Sequence, residues 1–264
     1  MSDDNDSVTS GHPIVLVGGA WIGAWAWRDV ERDLRGRGHD VHSATLTGLG
    51  DRVHLARPDV DLDTHVTDLV NLIEYADLHN VVLVGHSYAG LVVTGAADRI
   101  PDRIAHIVYV DTGPVPSGMG MLDFFGDAAP AIEQQVAEGG DGWRLPAPTV
   151  EQQSEGASVR GIGDVAKAWY EAKRTPQPFG TYRQPSSLSS TAVFDLPRTA
   201  ILCDDGKQVF AMAKEMSESG APLGPLAEMV GDNWNIVELD TGHWPMFSAP
   251  AELAAALHDV AVAV

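Results

Sequence analysis

The segment of residues 81–90 constrains the fold of this chain more than any other. Its apolar, mostly β-branched run ends in Gly85-His86-Ser87, and small residues and a helix-like stretch over residues 91–97 follow. This order predicts a buried strand, a sharp turn with Ser87 at its apex, and then a helix. Such a turn lifts a hydroxyl clear of the sheet and directs backbone N–H groups at whatever is attached to it, as nucleophilic acyl transfer requires. The alternative is an ordinary strand-to-helix turn that contains a serine.

Short apolar strands alternate with amphipathic helices on both sides of this turn. Strands are predicted at residues 14–17, 40–46, 104–110, 199–202 and 235–239. One helix carries Val66, Leu69 and Ile73 on a single face and is expected to begin at an N-cap of Asp63 or Thr64. The pattern predicts the α/β class, with a mostly parallel, twisted sheet covered by helices on both faces.

The alternation breaks over residues 114–194, which are rich in Gly, Pro, Met and aromatic residues. A loop of this length is uncommon in a compact domain, so we interpret the stretch as a helical cap over the carboxyl edge of the sheet. Phe124 and Phe125 would line a substrate pocket there, unless they belong only to the cap's own core. Residues 13–113 and 195–264 are then the core, and the polar residues 1–12 a disordered tail.

The charge balance limits the partners of the chain. With 17 Lys and Arg against 37 Asp and Glu, the formal net charge is −20. Nucleic acids and anionic membranes attract clustered positive charge, so neither is expected as a partner. No apolar run has membrane-spanning length, and the single cysteine, Cys203, fits a reducing cytoplasm. We expect a small apolar molecule as substrate and leave homo-oligomer formation open.

A serine hydroxyl becomes an effective nucleophile only when a base takes its proton. His243 is the best candidate, because it follows the last predicted strand on a short, Gly-containing loop and could reach Ser87. An acid must hold the imidazole, and the sequence offers Asp111 after one strand and Asp204 or Asp205 after another. All of these aspartates could lie at the carboxyl edge of the sheet, and all could equally be solvated loop residues.

The oxyanion that forms when serine attacks a carbonyl needs two convergent N–H donors. One would be the backbone N–H of Tyr88, directly after the nucleophile. The other would come from Ala20 in the loop after the first strand, where Gly18 and Gly19 let the backbone approach closely. The sequence therefore supplies a candidate for each part of an acyl-transfer site.

No motif for a metal or a cofactor is found in the sequence. The remaining histidines do not pair with another His or with Cys at metal-ligand spacing, so no metal site is predicted. The run Asp59-Val60-Asp61-Leu62-Asp63 begins like a calcium loop but continues with Thr64 and Val70 where that loop needs glycine and glutamate. A dinucleotide fingerprint and a phosphate loop are also missing, so no cofactor is expected.

From about residue 13 onwards the chain resembles the α/β-hydrolase superfamily, and within it the branch of plant hydroxynitrile lyases, plant methyl-ester esterases and bacterial esterase relatives. The segments that carry the resemblance are Val15-Leu16-Val17-Gly18-Gly19-Ala20-Trp21 with Gly23-Ala24-Trp25, Gly85-His86-Ser87-Tyr88-Ala89-Gly90, Gln184-Pro185-Ser186-Ser187-Leu188, and Thr241-Gly242-His243. The resemblance implies an α/β-hydrolase fold with a helical cap inserted after the sixth strand, in the family's strand count. It also implies Ser87, an acid and His243 in that chain order.

The acid is the position at which the chain departs most from the family. Aligning Cys203 and Lys207 with relatives places Gly206 where their acid stands. Haloalkane dehalogenases and a fungal zearalenone lactonase instead carry their acid after the sixth strand, and Asp111 matches that position. We therefore favour Asp111 over Asp205.

Three further departures bear on the chemistry. Gly18-Gly19 stands where relatives have His-Gly, in the loop expected to bind the oxyanion. Ala89 replaces the usual second glycine of the serine turn, a change small enough that we expect the turn to survive. Trp244 replaces the lysine with which the plant lyases stabilise departing cyanide, so hydroxynitrile lyase activity is not expected.

Together these features predict a cofactor-independent serine hydrolase that cleaves a small or medium apolar ester or lactone through an acyl-enzyme on Ser87. Apolar walls of its pocket would come from four aromatic side chains, Trp21, Phe124, Phe125 and Trp244. Two alternatives stay open. One is a cofactor-free lyase or cyclase that uses His243 as an acid–base without an acyl-enzyme, and the other is a non-catalytic ligand-binding protein on the same scaffold.

Overall fold

The computed structural model describes residues 11–231 and 234–264. Of the tail predicted to be disordered, residues 1–10 lie outside the described residues. The ring nitrogens of His12 lie within hydrogen-bond distance of the carbonyl oxygens of Asn80 and Val264, at 2.8 and 3.1 Å. From this residue onwards the chain is held against the body of the protein.

Six strands form the central sheet of the described structure: β1 (Ile14–Val17), β2 (Val41–Ala44), β3 (Val81–His86), β4 (Ile104–Val110), β5 (Arg198–Leu202) and β6 (Trp234–Glu238). All neighbours are parallel, and their order is β2-β1-β3-β4-β5-β6. The carboxyl ends of β3, β4 and β5 therefore lie side by side at one edge. This architecture confirms the predicted α/β class with a parallel sheet.

The described residues form ten α-helices, four of which lie between β4 and β5. They are α1 (Arg28–Gly36), α2 (Leu62–Tyr75), α3 (Ala89–Arg99), α4 (Ala129–Gly139), α5 (Val150–Gln153), α6 (Asp164–Lys173), α7 (Gly180–Arg183), α8 (Asp204–Ser219), α9 (Pro245–Ser248) and α10 (Pro250–Ala263). Helices α2 and α3 pack on the face that carries Leu83, and α1 and α10 on the face that carries Val84. Because both faces are covered, β1 and β3 are buried along their whole length.

The start of α2 corrects one prediction. The N-cap is Asp61, neither Asp63 nor Thr64: the Asp61 carboxylate accepts the N–H of Thr64 at 2.9 Å. The Thr64 hydroxyl lies 3.4 Å from the Asp61 N–H, which completes a capping box. The helix begins earlier than expected because Leu62 is buried and already belongs to its apolar face.

The segment predicted to be a cap lies between β4 and β5, so it follows the fourth strand of the described sheet. It contains α4 to α7 and two further helical turns, Met121–Ala128 and Ala192–Asp195. A short antiparallel ribbon of Arg144–Leu145 and Gln177–Pro178 accompanies these helices, so the segment is not purely helical. Among the helices of residues 11–231 and 234–264, none combines the length and apolar character that crossing a membrane requires.

Candidate active site

Ser87 lies in the sharp turn between β3 and α3. Its backbone is left-handed, with φ of 53°, a conformation that is uncommon for a residue with a side chain and that often marks a functional site. A β-carbon at Gly85 would lie 2.8 Å from the carbonyl oxygen of Ala89, so only glycine fits at the first position of the motif. Ala89 occupies the second glycine position of the motif, and the turn between β3 and α3 forms with alanine there.

A chain of hydrogen bonds joins Ser87, His243 and Asp111. Nε2 of His243 lies 3.0 Å from the Ser87 hydroxyl, and Nδ1 lies 2.6 Å from Oδ2 of Asp111. Because a carboxylate only accepts, Nδ1 carries the proton and Nε2 presents its lone pair to the serine. This is the tautomer that a general base for serine requires.

Asp111 is fixed on both carboxylate oxygens. Its Oδ1 accepts the backbone N–H groups of Cys203 and Gly206, each at 2.7 Å, while Oδ2 accepts from His243. The side chain is fully buried, and its backbone is left-handed with φ of 49°. The bonds from Cys203 and Gly206 cross from the end of β5 to that of β4, so the carboxylate has little freedom to turn away from the imidazole.

The other aspartates occupy different places. Asp205 lies 3.7 Å from Nδ1 of His243 and accepts the N–H of Ser158 at 3.0 Å. Burial raises the pKa of the Asp205 carboxyl, against the opposing effects of that N–H and of His243. Asp204 instead pairs with Arg160. Of the candidate acids, only Asp111 is hydrogen-bonded to His243 within the described residues.

Of the two predicted oxyanion donors, Ala20 borders the cavity at Ser87, and Tyr88 directly follows Ser87 in the serine turn. Among the described residues, the N–H groups of Ala20 and Tyr88 have no protein acceptor, whereas the next N–H in the loop, that of Trp21, donates to Oε1 of Gln177 at 3.2 Å. A β-carbon at Gly19 would lie 2.9 Å from Cβ of Ser87, so only glycine lets this loop come so close to the serine turn.

Groups that the sequence did not single out hold the loop of His243. The ring of His86 donates through Nε2 to the carbonyl oxygen of His243 at 2.7 Å. The carbonyl oxygens of Ser158 and Arg160 accept the N–H groups of His243 and Gly242, at 2.7 and 3.1 Å. His86 neighbours Ser87 in the motif, but no local pattern connects residues 158–160 with a loop so distant in the sequence.

A cavity of about 430 Å³ opens over Ser87 and His243. All four aromatic residues predicted to line the pocket do so: Trp21, Phe124, Phe125 and Trp244. Sequence reasoning missed a further apolar set, namely Leu91, Val115, Val209, Phe210 and Met229. These residues come from several separate segments, and only the folded chain brings them together.

Asp111, Asp205 and His243 also form the one cluster of described residues with three metal-ligating side chains, their ligand atoms lying within 4.8 Å of one another. The hydrogen bonds given above already engage Nδ1 of His243 and both oxygens of Asp111. The donor set therefore fits an acid–base pair better than a cation site.

Comparisons with known proteins identify the family of the chain. A model of the alpha/beta hydrolase family matches residues 14–256. The carbendazim hydrolyzing esterase of Nocardioides sp. (strain SG-4G) is 34% identical over 243 residues, which cover 91% of this chain and 96% of that relative. The pyrethroid hydrolase of Sphingobium wenxiniae is 26% identical over 260 residues, which cover 94% and 87% of the two chains. A solved extracellular alpha/beta-hydrolase from a Paenibacillus species superposes with a TM-score of 0.73 at 20% identity, covering 95% of this chain and 98% of that one.

The chain belongs to the alpha/beta hydrolase family, because the family model spans nearly its whole length. The relatives at near full length are an esterase and a hydrolase, and the chain is accordingly a carboxylic-ester hydrolase. The family resemblance predicted from the sequence is confirmed.

Proposed function

We propose that this enzyme is a serine hydrolase that cleaves a small or medium apolar carboxylic ester or lactone through an acyl-enzyme on Ser87. The Ser87 oxygen attacks the carbonyl carbon while Nε2 of His243 takes its proton. The N–H groups of Ala20 and Tyr88 bind the oxyanion, and each such donor is typically worth about 2.7–4 kcal/mol. His243 then protonates the leaving alcohol as the C–O bond breaks. Water, deprotonated by His243, then attacks the acyl carbon. As the bond between that carbon and the Ser87 oxygen breaks, His243 returns the proton to Ser87 and the acid is released.

One observation carries this proposal: the hydrogen-bonded series of Ser87, His243 and Asp111 at 3.0 and 2.6 Å. The carboxylate stabilises the imidazolium that forms when Ser87 loses its proton, so the charge separation takes place beside a fixed counter-charge. Burial of Asp111 strengthens that interaction, since its side chain is shielded from water.

The cavity supports an apolar substrate of modest size. Its volume of about 430 Å³ lies within the range usual for small-molecule sites, and aromatic and aliphatic side chains form most of its wall. Two relatives named for hydrolysis, a carbendazim hydrolyzing esterase and a pyrethroid hydrolase, support hydrolytic chemistry on this scaffold.

Labelling by a fluorophosphonate tests the nucleophile directly. We expect the wild-type protein to form a single adduct on Ser87, located by peptide mass spectrometry, and expect His243→Ala to label far more slowly. Ser87→Ala should neither label nor hydrolyse a panel of apolar esters and lactones. A folded wild-type protein that does not label would overturn the acyl-enzyme. Loss of activity in His243→Ala with activity retained in Ser87→Ala would instead indicate lyase or cyclase chemistry.

A further inference from the structure

A second cavity of about 730 Å³ adjoins the one at Ser87. Its own wall combines an apolar set, Ile132, Leu145, Pro146, Ala147 and Pro148, with the polar side chains of Gln135, Glu138, Gln152 and Glu155. The two cavities share the side chains of Trp21, Phe125, Gln153 and Tyr182 and the backbone of Gly156. We call the cavity at Ser87 the inner cavity and this second one the outer cavity.

Neither cavity offers a cation to a bound ligand. The charged groups that line the outer cavity are Glu138 and Glu155, and both are exposed. Asp111 and Asp205 line the inner cavity with His86 and His243, and within the described residues no Lys or Arg lines either one. An anionic group bound there would lose its hydration without gaining a counter-ion, which is strongly unfavourable.

The wall between the cavities is aromatic. Phe125 stacks on Tyr182 with ring centroids 6.3 Å apart, and Tyr182 in turn stacks on Tyr88, the residue that follows the nucleophile. A substrate with its carbonyl at Ser87 that extends to the outer cavity would therefore meet the aromatic faces of Phe125 and Tyr182, where the two cavities adjoin. A short ester would fill the inner cavity alone.

We infer that the outer cavity is a second substrate subsite, which binds an apolar neutral or cationic group at the end of the ester remote from the scissile carbonyl and rejects an anionic one. This inference rests on the proposed function, since it assumes that an ester is bound at Ser87. It narrows the substrate class to elongated esters without a carboxylate or phosphate at their distal end.

Matched substrates test the inference. We would compare 4-nitrophenyl esters whose acyl chains are equally long and end in a tert-butyl, a trimethylammonium or a carboxylate group, with 4-nitrophenyl acetate as the short reference. A mirror series would carry the same groups on the alcohol. In at least one series we expect kcat/KM for the carboxylate to be on the order of 100-fold below that for tert-butyl. The trimethylammonium ester should be hydrolysed at least as well as the tert-butyl ester.

Variants locate the subsite. Ala147→Trp fills the outer cavity and should lower kcat/KM for the long tert-butyl ester about tenfold, with little change for the acetate. Ala137→Trp, an exposed position on α4 that lines neither cavity, is the matched control. Glu138→Gln combined with Glu155→Gln should raise the rate for the carboxylate ester about threefold, whereas Glu151→Gln at an exposed position outside the cavity should not.

The outcomes separate this inference from the proposed function. Equal kcat/KM values for the three end groups in both series, or an Ala147→Trp variant that treats long and short esters alike, would overturn the subsite. Ser87 labelling and acetate hydrolysis would then still stand. A wild-type protein that neither labels at Ser87 nor hydrolyses the acetate would contradict the proposed function, and the subsite with it.

Discussion

The Oδ1 atom of Asp111 accepts the backbone N–H of Gly206 at 2.7 Å, and a β-carbon at position 206 would overlap that same oxygen. The resemblance to relatives places their acid at position 206, where this chain has glycine. Here the carboxylate reaches the imidazole from the end of β4, and the glycine at the start of α8 leaves the space that it fills. The absence of a side chain at position 206 therefore makes room for the carboxylate of Asp111.

Gly206→Ala should therefore disable the enzyme without unfolding it. The added methyl group displaces the Asp111 carboxylate from His243, and we expect kcat/KM to fall on the order of 100-fold, less than for complete loss of the acid. Steady-state kinetics and thermal unfolding would be compared with those of Gly36→Ala, another helical glycine, whose β-carbon would meet nothing within 4 Å. A Gly206→Ala enzyme as active as Gly36→Ala would contradict this account of the acid.

Asparagine at each aspartate distinguishes the two acids that the sequence left open. Asp111→Asn should lower kcat by about 10⁴-fold, because an amide can stabilise the wrong tautomer of His243 and carries no charge. Asp205→Asn should cost less than about tenfold, because the Asp205 carboxylate lies 3.7 Å from Nδ1 of His243 and makes no hydrogen bond with it. Activities measured over a range of pH would check both, and a larger loss in Asp205→Asn than in Asp111→Asn would reverse the assignment.

The sequence predicted those parts of the fold and site that depend on local order. The serine turn follows from an apolar strand, Gly85 and a small-residue helix start, and His243 from its place after the last strand. The choice between Asp111 and Asp205 could not be made from spacing, because the N–H groups of Cys203 and Gly206 that hold the acid come from a different strand end. The family resemblance, through Gly206, was what favoured Asp111.

Features that arise from long-range packing could not be predicted from the sequence. The outer cavity is formed by residues that sit near one another only after the chain between β4 and β5 folds over the sheet. The contact of Ser158 with His243 has the same origin. Even a local signal misled at α2, where Asp63 or Thr64 was the expected N-cap and Asp61 occupies that position.

Arg160 joins the loop of His243, the proposed base, to the segment before α6. Its guanidinium binds Asp204 and Asp240 at 2.6 and 2.8 Å, and its carbonyl oxygen accepts the N–H of Gly242. Exposed ion pairs contribute little to stability, so Arg160→Ala should change the free energy of unfolding by less than about 1 kcal/mol. Activity should nevertheless fall on the order of tenfold as His243 loses its alignment.

Kinetics and chemical denaturation of Arg160→Ala would be measured beside Arg32→Ala, which breaks an exposed ion pair with Asp29. Arg160→Lys should recover part of the activity, because it retains a single ion pair. Were Arg160→Ala as active as Arg32→Ala, the proposed link to the base would not hold.

Buried histidines make the fold sensitive to acid. Burial lowers the pKa of His65 and of His106 from 6.5 to about 4. Between these values the unfolded chain binds more protons than the folded one, so the free energy of unfolding falls as the pH drops below 6.5. At pH 5 each of the two histidines should contribute a loss of about 2 kcal/mol relative to pH 7.5.

Urea unfolding at pH 7.5, 6 and 5 would measure this loss in the free energy of unfolding. His106→Gln, which can keep a hydrogen bond to Thr199, should lose about 2 kcal/mol less over that range, whereas His54→Gln at an exposed position should follow the wild type. Equal losses in His106→Gln and the wild type would show that His106 does not carry this pH dependence.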